Sequence, residues 1–238
     1  MSDSLQVSSF LSMSGCDGPS LRSVIFLYGC PLRCDYCHNP ETWTGEEFET
    51  HSVDSLLKKV LRYRSYYKNG GGVTISGGEP LLQQNTVVSL LKQLKENEIH
   101  TCIDTCGAIT PSEDLLALTD LFLLDVKFLS QSEYITHTKT DIFEQVICFL
   151  ELCQSHEKPI WVRHVLYPDL TDHEDYVSKL LALLSPYSNV ERVELLPFRS
   201  LCTTKYQELS LPFPMEGVTE SDPERVETLK GLVSRAFP

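Results

Sequence analysis

The sequence predicts an α/β fold of parallel strands with outer helices, either an open, incomplete (β/α)6 TIM-like barrel or a doubly wound sheet. Three observations predict it. Short apolar runs alternate with longer amphipathic ones along the chain. Six runs have strand character, fewer than the eight that a closed (β/α)8 barrel requires. No linker, internal repeat or low-complexity segment divides the 238 residues, so residues 1–238 read as one domain.

The strand runs are Arg22 to Tyr28, Gly72 to Ile75, Thr101 to Asp104, Leu121 to Val126, Ile160 to Leu166 and Arg192 to Leu196. Each is short, apolar or β-branched, and bounded by Gly, Pro or polar residues. Between them lie helical patterns. Ser52 to Lys68 has Ser52 or Asp54 as a cap and ends at Asn69 to Gly72. Leu82 to Asn97 carries Val87, Leu90, Leu91 and Leu94 at helical spacing. Pro111 to Leu118 has Thr110 as its cap and proline in the first turn. Asp141 to Cys153, His173 to Leu184 and Asp222 to Ala236 follow. Strands alternating with helices imply crossover connections and a parallel sheet. Ser200 to Glu220, with Pro212 and Pro214 and no period, reads as a loop.

Charge and targeting signals exclude several classes. Lys plus Arg is 20 and Asp plus Glu is 33, a net charge of −13 that argues against general nucleic-acid binding. The first 20 residues lack the basic start and apolar core of a secretory signal. No apolar run approaches the roughly 20 residues that span a bilayer. The expected location is the cytoplasm, where nine cysteines are thiols, metal ligands or redox groups rather than a disulfide framework.

The strongest local signal is GCPLRCDYCHNPETW, Gly29 to Trp43, in which Cys30, Cys34 and Cys37 are spaced C-x3-C-x2-C. A structural zinc site wants four ligands. His38 is a poor fourth because it adjoins Cys37, although a distant Cys or His could serve. Three thiolates in one tight loop suit a [4Fe-4S] cube better, and they leave one iron open to a small chelating molecule. The loop directly follows the first strand.

Other strand ends carry polar residues too. Gly77-Gly78-Glu79 follows the second strand. A glycine pair most often marks a turn, but it also permits close approach to a ligand. The segment's carbonyls and carboxylate are acceptors that an ammonium wants. Asp104 and Asp125 end the next two strands. Such residues commonly cap turns, yet two of them on neighbouring strands could share a cation with oxygen ligands. In both candidate folds, chemistry sits at these carboxyl ends of strands.

The cysteine spacing, with Tyr36 before the third Cys, resembles the radical S-adenosylmethionine (SAM) superfamily signature. Asp17-Gly18-Pro19, Arg22 and YCHNPETW make the chain similar to glycyl-radical-enzyme activating enzymes over nearly its whole length. The absence of a ferredoxin-like insert after Trp43 matches their short, pyruvate formate-lyase type. The resemblance implies the radical SAM fold, the incomplete barrel of the two options. It also implies a [4Fe-4S] cluster on Cys30, Cys34 and Cys37 that cleaves SAM reductively. The resulting 5′-deoxyadenosyl radical takes a hydrogen from a glycine of a partner, pyruvate formate-lyase being the expected one. The reductant it implies is a flavodoxin or ferredoxin.

By the same resemblance, Gly77, Gly78 and Glu79 receive the SAM amino group, and Tyr36, Asn39, Lys127 and Arg163 belong to the SAM pocket. Asp104, Thr105, the Leu123 carbonyl and Asp125 match a site for a monovalent cation, Na or K. Asp17 matches a contact to the partner's glycine loop. Cys102 and Cys106 read as plain small residues, Cys16, Cys148, Cys153 and Cys202 as buried or incidental, and His51, His100 and His156 as surface residues.

The chain departs from the family pattern at several positions. Tyr134 stands where the family has His, Lys139 where it has the Gly of a Thr-Gly pair, and Ile142 where it has Asn. Arg199 replaces another His, Cys202 a Gly, and Ser20 the glycine after Asp17-Gly18-Pro19. Tyr134 and Arg199 are expected to bond SAM through a hydroxyl and a guanidinium. The reading is a divergent activase. The alternatives are a radical SAM enzyme acting on a small molecule and a non-catalytic iron–sulfur or zinc protein.

Overall fold

The structure is a computed structural model that describes residues 3–44 and 48–237. Among the described residues, eight strands, mostly parallel, follow the order β3-β1-β2-β4-β5-β6-β7-β8 in an open sheet. They are β1 (Ser4–Ser14), β2 (Arg22–Leu27), β3 (Glu49–Ser52), β4 (Gly72–Gly77), β5 (His100–Thr105), β6 (Leu121–Asp125), β7 (Ile160–Leu166) and β8 (Val190–Pro197). The open α/β architecture is the expected one, and all six expected strands are present with ends shifted by at most two residues. No helix among the described residues is long and apolar enough to cross a membrane.

The chain divides into two compact units. The first comprises residues 1–31 and 41–123. Its central strands are parallel and in register, Arg22 opposite Gly72 and Gly72 opposite His100, so Leu27, Gly77 and Thr105 all end at the same edge. The helices α1 (Val53–Leu61), α2 (Gln84–Glu96) and α3 (Glu113–Leu118) belong to this unit. Leu56, Val60, Val87, Leu90, Leu91 and Leu94 are fully buried, as are Ile25, Leu27, Val73, Ile75 and Ile103 of the strands. Each such side chain stabilises by about 1.5–3 kcal/mol relative to exposure.

Two strands of this unit, β1 and β3, were not expected. β1 runs antiparallel to both β2 and β3. Its Leu5 and Val7 point inward, but a register shift between Val7 and Ser9 breaks the alternation that would have revealed a strand. α1 starts at its expected cap, Ser52, whose side chain accepts from the Ser55 N–H, but ends at Leu61 rather than Lys68. α3 begins at Glu113 with Ser112, not Thr110, as its cap.

The second unit comprises residues 32–40 and 124–238. β7 and β8 pair in parallel from Ile160–Val190 to Leu166–Pro197. Its helices are α4 (Gln131–Thr138), α5 (Phe143–Ser155), α6 (Glu174–Leu184), α7 (Thr203–Glu208) and α8 (Pro223–Ala236). α6 opens at His173 and α8 at Asp222, each capping with its own side chain. The expected helix Asp141 to Cys153 is α5, shifted by two residues, whereas α4 was not expected. Lys139 ends α4 in the left-handed conformation, at φ 63°, and the periodicity restarts only after it. The segment read as a loop, Ser200 to Glu220, contains α7.

Candidate functional site

In the first unit, the chain leaves β2 into Tyr28, Gly29 and Cys30. The Gly29 N–H donates to Thr42 O at 2.7 Å, folding the loop back on itself. The end of β4 lies against this turn: Gly78 N–H donates to Leu27 O at 3.0 Å and Glu79 N–H to Gly29 O at 2.7 Å. This contact explains the glycine pair. A Cβ on Gly77 would lie 2.2 Å from Leu27 N, and one on Gly78 would lie 2.1 Å from Gly29 O. Gly77 also has φ 121°, a conformation only glycine holds without strain. The close approach legible in the sequence is made to the backbone of residues 27–30.

Glu79, expected with Gly77 and Gly78 to receive the SAM amino group, has its carboxylate engaged within the protein. Glu79 is 0% exposed. It accepts from Leu81 N–H at 3.0 Å, Thr105 Oγ1 at 2.8 and 2.9 Å, Cys106 N–H at 2.9 Å and Cys106 Sγ at 2.9 Å. Burial pushes its carboxyl above the ordinary range, against the pull of these hydrogen bonds. It therefore locks the turn after β4 to the end of β5. Thr105 spends its hydroxyl proton on Glu79, while Asp104 accepts from Ser76 Oγ at 2.6 Å. Cys106 is thus more than a small filler.

Asp17 lies in the turn between β1 and β2, at the start of β2, whereas Cys30 follows its end. β2 has six residues, about 20 Å at 3.3 Å each. Thr74 Oγ1 donates to Asp17 O at 2.5 Å, and Ser14 Oγ donates to the Asp17 carboxylate. Beside it, Arg22 is fully buried and donates to Thr74 Oγ1, Pro19 O, Val73 O and Cys102 Sγ at 2.6–3.1 Å. His100, expected at the surface, is half-buried and accepts from Arg22 at 3.3 Å. The sequence motif marks Asp17, Pro19 and Arg22, but not their partners Thr74, Cys102 and His100.

In the second unit, residues 33–39 are pinned at both ends. Arg33 N–H donates to Thr138 O at 2.8 Å and Asp35 N–H to His137 O at 2.9 Å. His38 Nε2 donates to Arg199 O at 2.8 Å, and Lys205 Nζ donates to His38 O and Asn39 Oδ1, both at 3.1 Å. Tyr36 is 6% exposed, with its ring edge-on to Tyr167 at 5.9 Å and Lys127 Nζ 5.9 Å above its centroid. Its buried hydroxyl has no hydrogen-bond partner among the described residues, and burial raises its pKa well above the usual phenol value. Lys127 Nζ pairs with Asp125 at 2.9 Å.

Three expected pocket residues have partners within the protein. Tyr134 is fully buried, and its hydroxyl accepts the Lys127 N–H at 3.0 Å, so it supports the strand end rather than opening to a ligand. Arg199 donates to Glu220 at 2.9 Å. Glu220 also takes the Ser200 N–H and hydroxyl, and these bonds with Arg199 hold its carboxyl at about 2. Arg163 is nearly buried, with its Nε 3.4 Å from Glu194. Cys16 and Cys148 are exposed, Cys153 and Cys202 buried.

Cys30, Cys34 and Cys37 are partly exposed and joined in no disulfide. Among the described residues, no three His, Cys, Asp or Glu side chains gather around an ion-sized point. A cube does not demand that, because each thiolate holds a different corner. The soft thiol donors and the orphaned Tyr36 hydroxyl fit an iron–sulfur cluster with a polar ligand beside it.

Comparison with known proteins agrees with this chemistry. Residues 24–181 match the Radical SAM superfamily. The chain is 40% identical over 229 residues to a pyruvate formate-lyase-activating enzyme of Clostridium pasteurianum, covering 94% of this chain and 95% of that one. It is 37% identical over 237 residues to the enzyme of the same name from Streptococcus mutans, covering 95% and 90%. Among solved structures, Streptococcus suis SuiB bound to S-adenosylmethionine aligns with a TM-score of 0.65 at 17% identity, over 87% of this chain and 44% of that one. A domain of a pyruvate-formate lyase-activating enzyme from Bacteroides vulgatus aligns with a TM-score of 0.56 at 18% identity, over 70% and 94%. At these identities the structural matches speak to the fold alone.

Proposed function

The chain belongs to the radical SAM superfamily, and from that premise we propose that it activates a glycyl-radical enzyme, with pyruvate formate-lyase as the partner. The observation that carries the reading is the similarity to activating enzymes along nearly the full length of both chains, together with the family match over residues 24–181, which contain the cysteine loop. When bound, the cluster supplies one electron to SAM, the chemistry from which a hydrogen atom is taken from a glycine.

The chain's own residues supply holding and placement. Cys30, Cys34 and Cys37 would hold the cluster and leave one iron for SAM. With Glu79 committed to the protein, the backbone carbonyls of Gly77 and Gly78 remain to meet the SAM ammonium. Tyr36, Asn39, Lys127 and Arg163 would line the pocket. Tyr134 would act through Lys127, and Arg199 through its exposed guanidinium edge. Asp104, Thr105, the Leu123 carbonyl and Asp125 would take a sodium or potassium ion, while Asp17, at the far end of β2 from Cys30, is left unassigned. We assign the whole chain to one radical SAM domain, place it in the reducing cytoplasm, and expect a flavodoxin or ferredoxin as electron donor.

The test is anaerobic. The chain is reconstituted with iron and sulfide, reduced with dithionite, and its EPR spectrum recorded with and without SAM. A [4Fe-4S]+ signal that SAM alters, followed by deuterium transfer from a labelled partner glycine into 5′-deoxyadenosine, is expected. Zinc in place of the cluster, or a cluster signal indifferent to SAM, sinks the proposal. Label arriving from a small molecule instead would move the enzyme to another branch of the superfamily.

A further inference from the structure

Asp35 stands between two cysteines of the loop and is buried, 8% exposed as a residue. A buried carboxylate needs partners, and this one is clamped from both sides. Lys139 Nζ lies 2.9 Å from Oδ1, and His137 Nδ1 donates to Oδ2 at 2.9 Å. The His137 ring is itself fixed, stacked on Phe128 at 5.0 Å and against Tyr167 at 4.9 Å.

The backbone makes the same connection. α4 ends at Thr138, and the carbonyls of its last turn have no partners within the helix. Those of His137 and Thr138 are satisfied by the N–H groups of Asp35 and Arg33. The cysteine loop is thus the C-terminal cap of α4. An anion at this helix end is opposed by the helix dipole, so the clamp needs its cations. Lys139 occupies the left-handed conformation, at φ 63°, that glycine holds more cheaply. In that conformation its ammonium bridges Asp35 Oδ1 and the Thr136 carbonyl.

We infer that Asp35, held by Lys139 and His137, is a positioning residue that sets Cys34 and Cys37 in their ligating arrangement before any cluster is present. The inference rests on the proposed function for what the arrangement serves, and on the geometry of this unit for its existence.

Lys139→Gly separates the clamp from ordinary capping, because glycine suits the left-handed position and a mere cap would gain by it. The measurement is amide hydrogen exchange of the full-length chain without cluster, read at residues 33–37. Lys139→Gly and Asp35→Asn are expected to speed exchange of the Arg33 and Asp35 amides by about tenfold or more, with the midpoint of thermal unfolding of Lys139→Gly unchanged or raised. Lys139→Arg, which keeps the charge, should restore protection. After reconstitution, the first two variants should lose iron to a chelator about tenfold faster than the wild type and show a broadened [4Fe-4S]+ EPR signal. Exchange within about threefold of wild type in both variants overturns the inference. A wild-type chain that takes up no cluster would sink the functional reading, and the exchange data would still decide the clamp.

Discussion

Gly78 lies directly against Cys30: a Cβ built on Gly78 would fall 3.0 Å from the Cys30 Cβ and 2.1 Å from the Gly29 carbonyl oxygen. Neither neighbour can yield cheaply, since one is backbone and the other a proposed cluster ligand. Gly78→Ala must therefore displace residues 29–30. Overpacking of this kind costs about 1–3 kcal/mol, or roughly 2–12 °C in the unfolding midpoint of a chain this size. The variant is expected to fold yet hold less than about a tenth of the wild-type iron after reconstitution. Gly231→Ala is the control. Its Cβ would meet nothing within 4 Å, and inside α8 it should stabilise by about 0.5–1 kcal/mol. Full iron content in Gly78→Ala would show that Cys30 moves freely.

Glu79 predicts a pH dependence. Burial raises its folded-state pKa above the ordinary carboxyl value. As pH rises from that ordinary value, the unfolded chain gives up its proton first, so folding loses stability until the folded-state pKa is passed. Glu79→Gln has no proton to lose. Its unfolding free energy relative to wild type should shift in the variant's favour as pH rises through this window, then level off. Denaturant titrations at several pH values between 4 and 8 measure it. A gap constant with pH would mean that the hydrogen bonds from Thr105, Cys106 and Leu81 offset burial.

What was legible in the sequence divides along physical lines. The parallel strands were readable because they are buried and nearly continuous in apolar residues: Val24 and Ile25, Val73 and Ile75, Leu121 to Leu124. β1 was not, because a bulge broke its period. The cysteine loop announces itself by spacing, which is local. Its anchoring is not local: Asp35 meets His137 across 102 positions. The same holds for Glu79, whose partners lie 26 and 27 residues on. The motif told which residues matter there, and only the fold shows that the carboxylate faces inward.

Arg22 carries a stability prediction. Its guanidinium is fully buried and serves Thr74, Pro19, Val73 and Cys102 at once, with no carboxylate in direct contact among the described residues. Lysine keeps the charge but cannot reproduce the planar fork. Arg22→Lys leaves at least two buried acceptors without donors, at about 1–3 kcal/mol each. The expected loss is about 3 kcal/mol, a fall of roughly 6–12 °C in the thermal midpoint. Because Thr74 also holds the Asp17 carbonyl, the turn at residues 15–21 should become sensitive to protease in the variant. A loss below about 1 kcal/mol would mean that water or a shifted backbone satisfies those carbonyls.

His164 predicts where acid weakens the second unit. Its Nδ1 lies 2.7 Å from the Val126 carbonyl, which can only accept, so Nδ1 carries the proton. Nε2 is buried with no partner among the described residues, and the ring stacks on Tyr176 at 5.7 Å. A second proton would create a buried cation with nothing to receive its new N–H. Burial accordingly lowers the pKa to about 4. Above pH about 6.5 the ring is neutral in both states and contributes no pH dependence. As pH falls from there towards 4, the unfolded chain binds a proton that the folded chain refuses, and stability is lost steadily. His164→Asn keeps a donor for Val126 but does not titrate. At pH 7.5 the variant should be less stable by about 1–3 kcal/mol from the cavity it leaves. By pH 5 that deficit should shrink by about 2 kcal/mol, because only the wild type is penalised. Urea unfolding of both proteins at the two pH values measures the change, and an unchanged deficit would show that His164 accepts its second proton in the folded state.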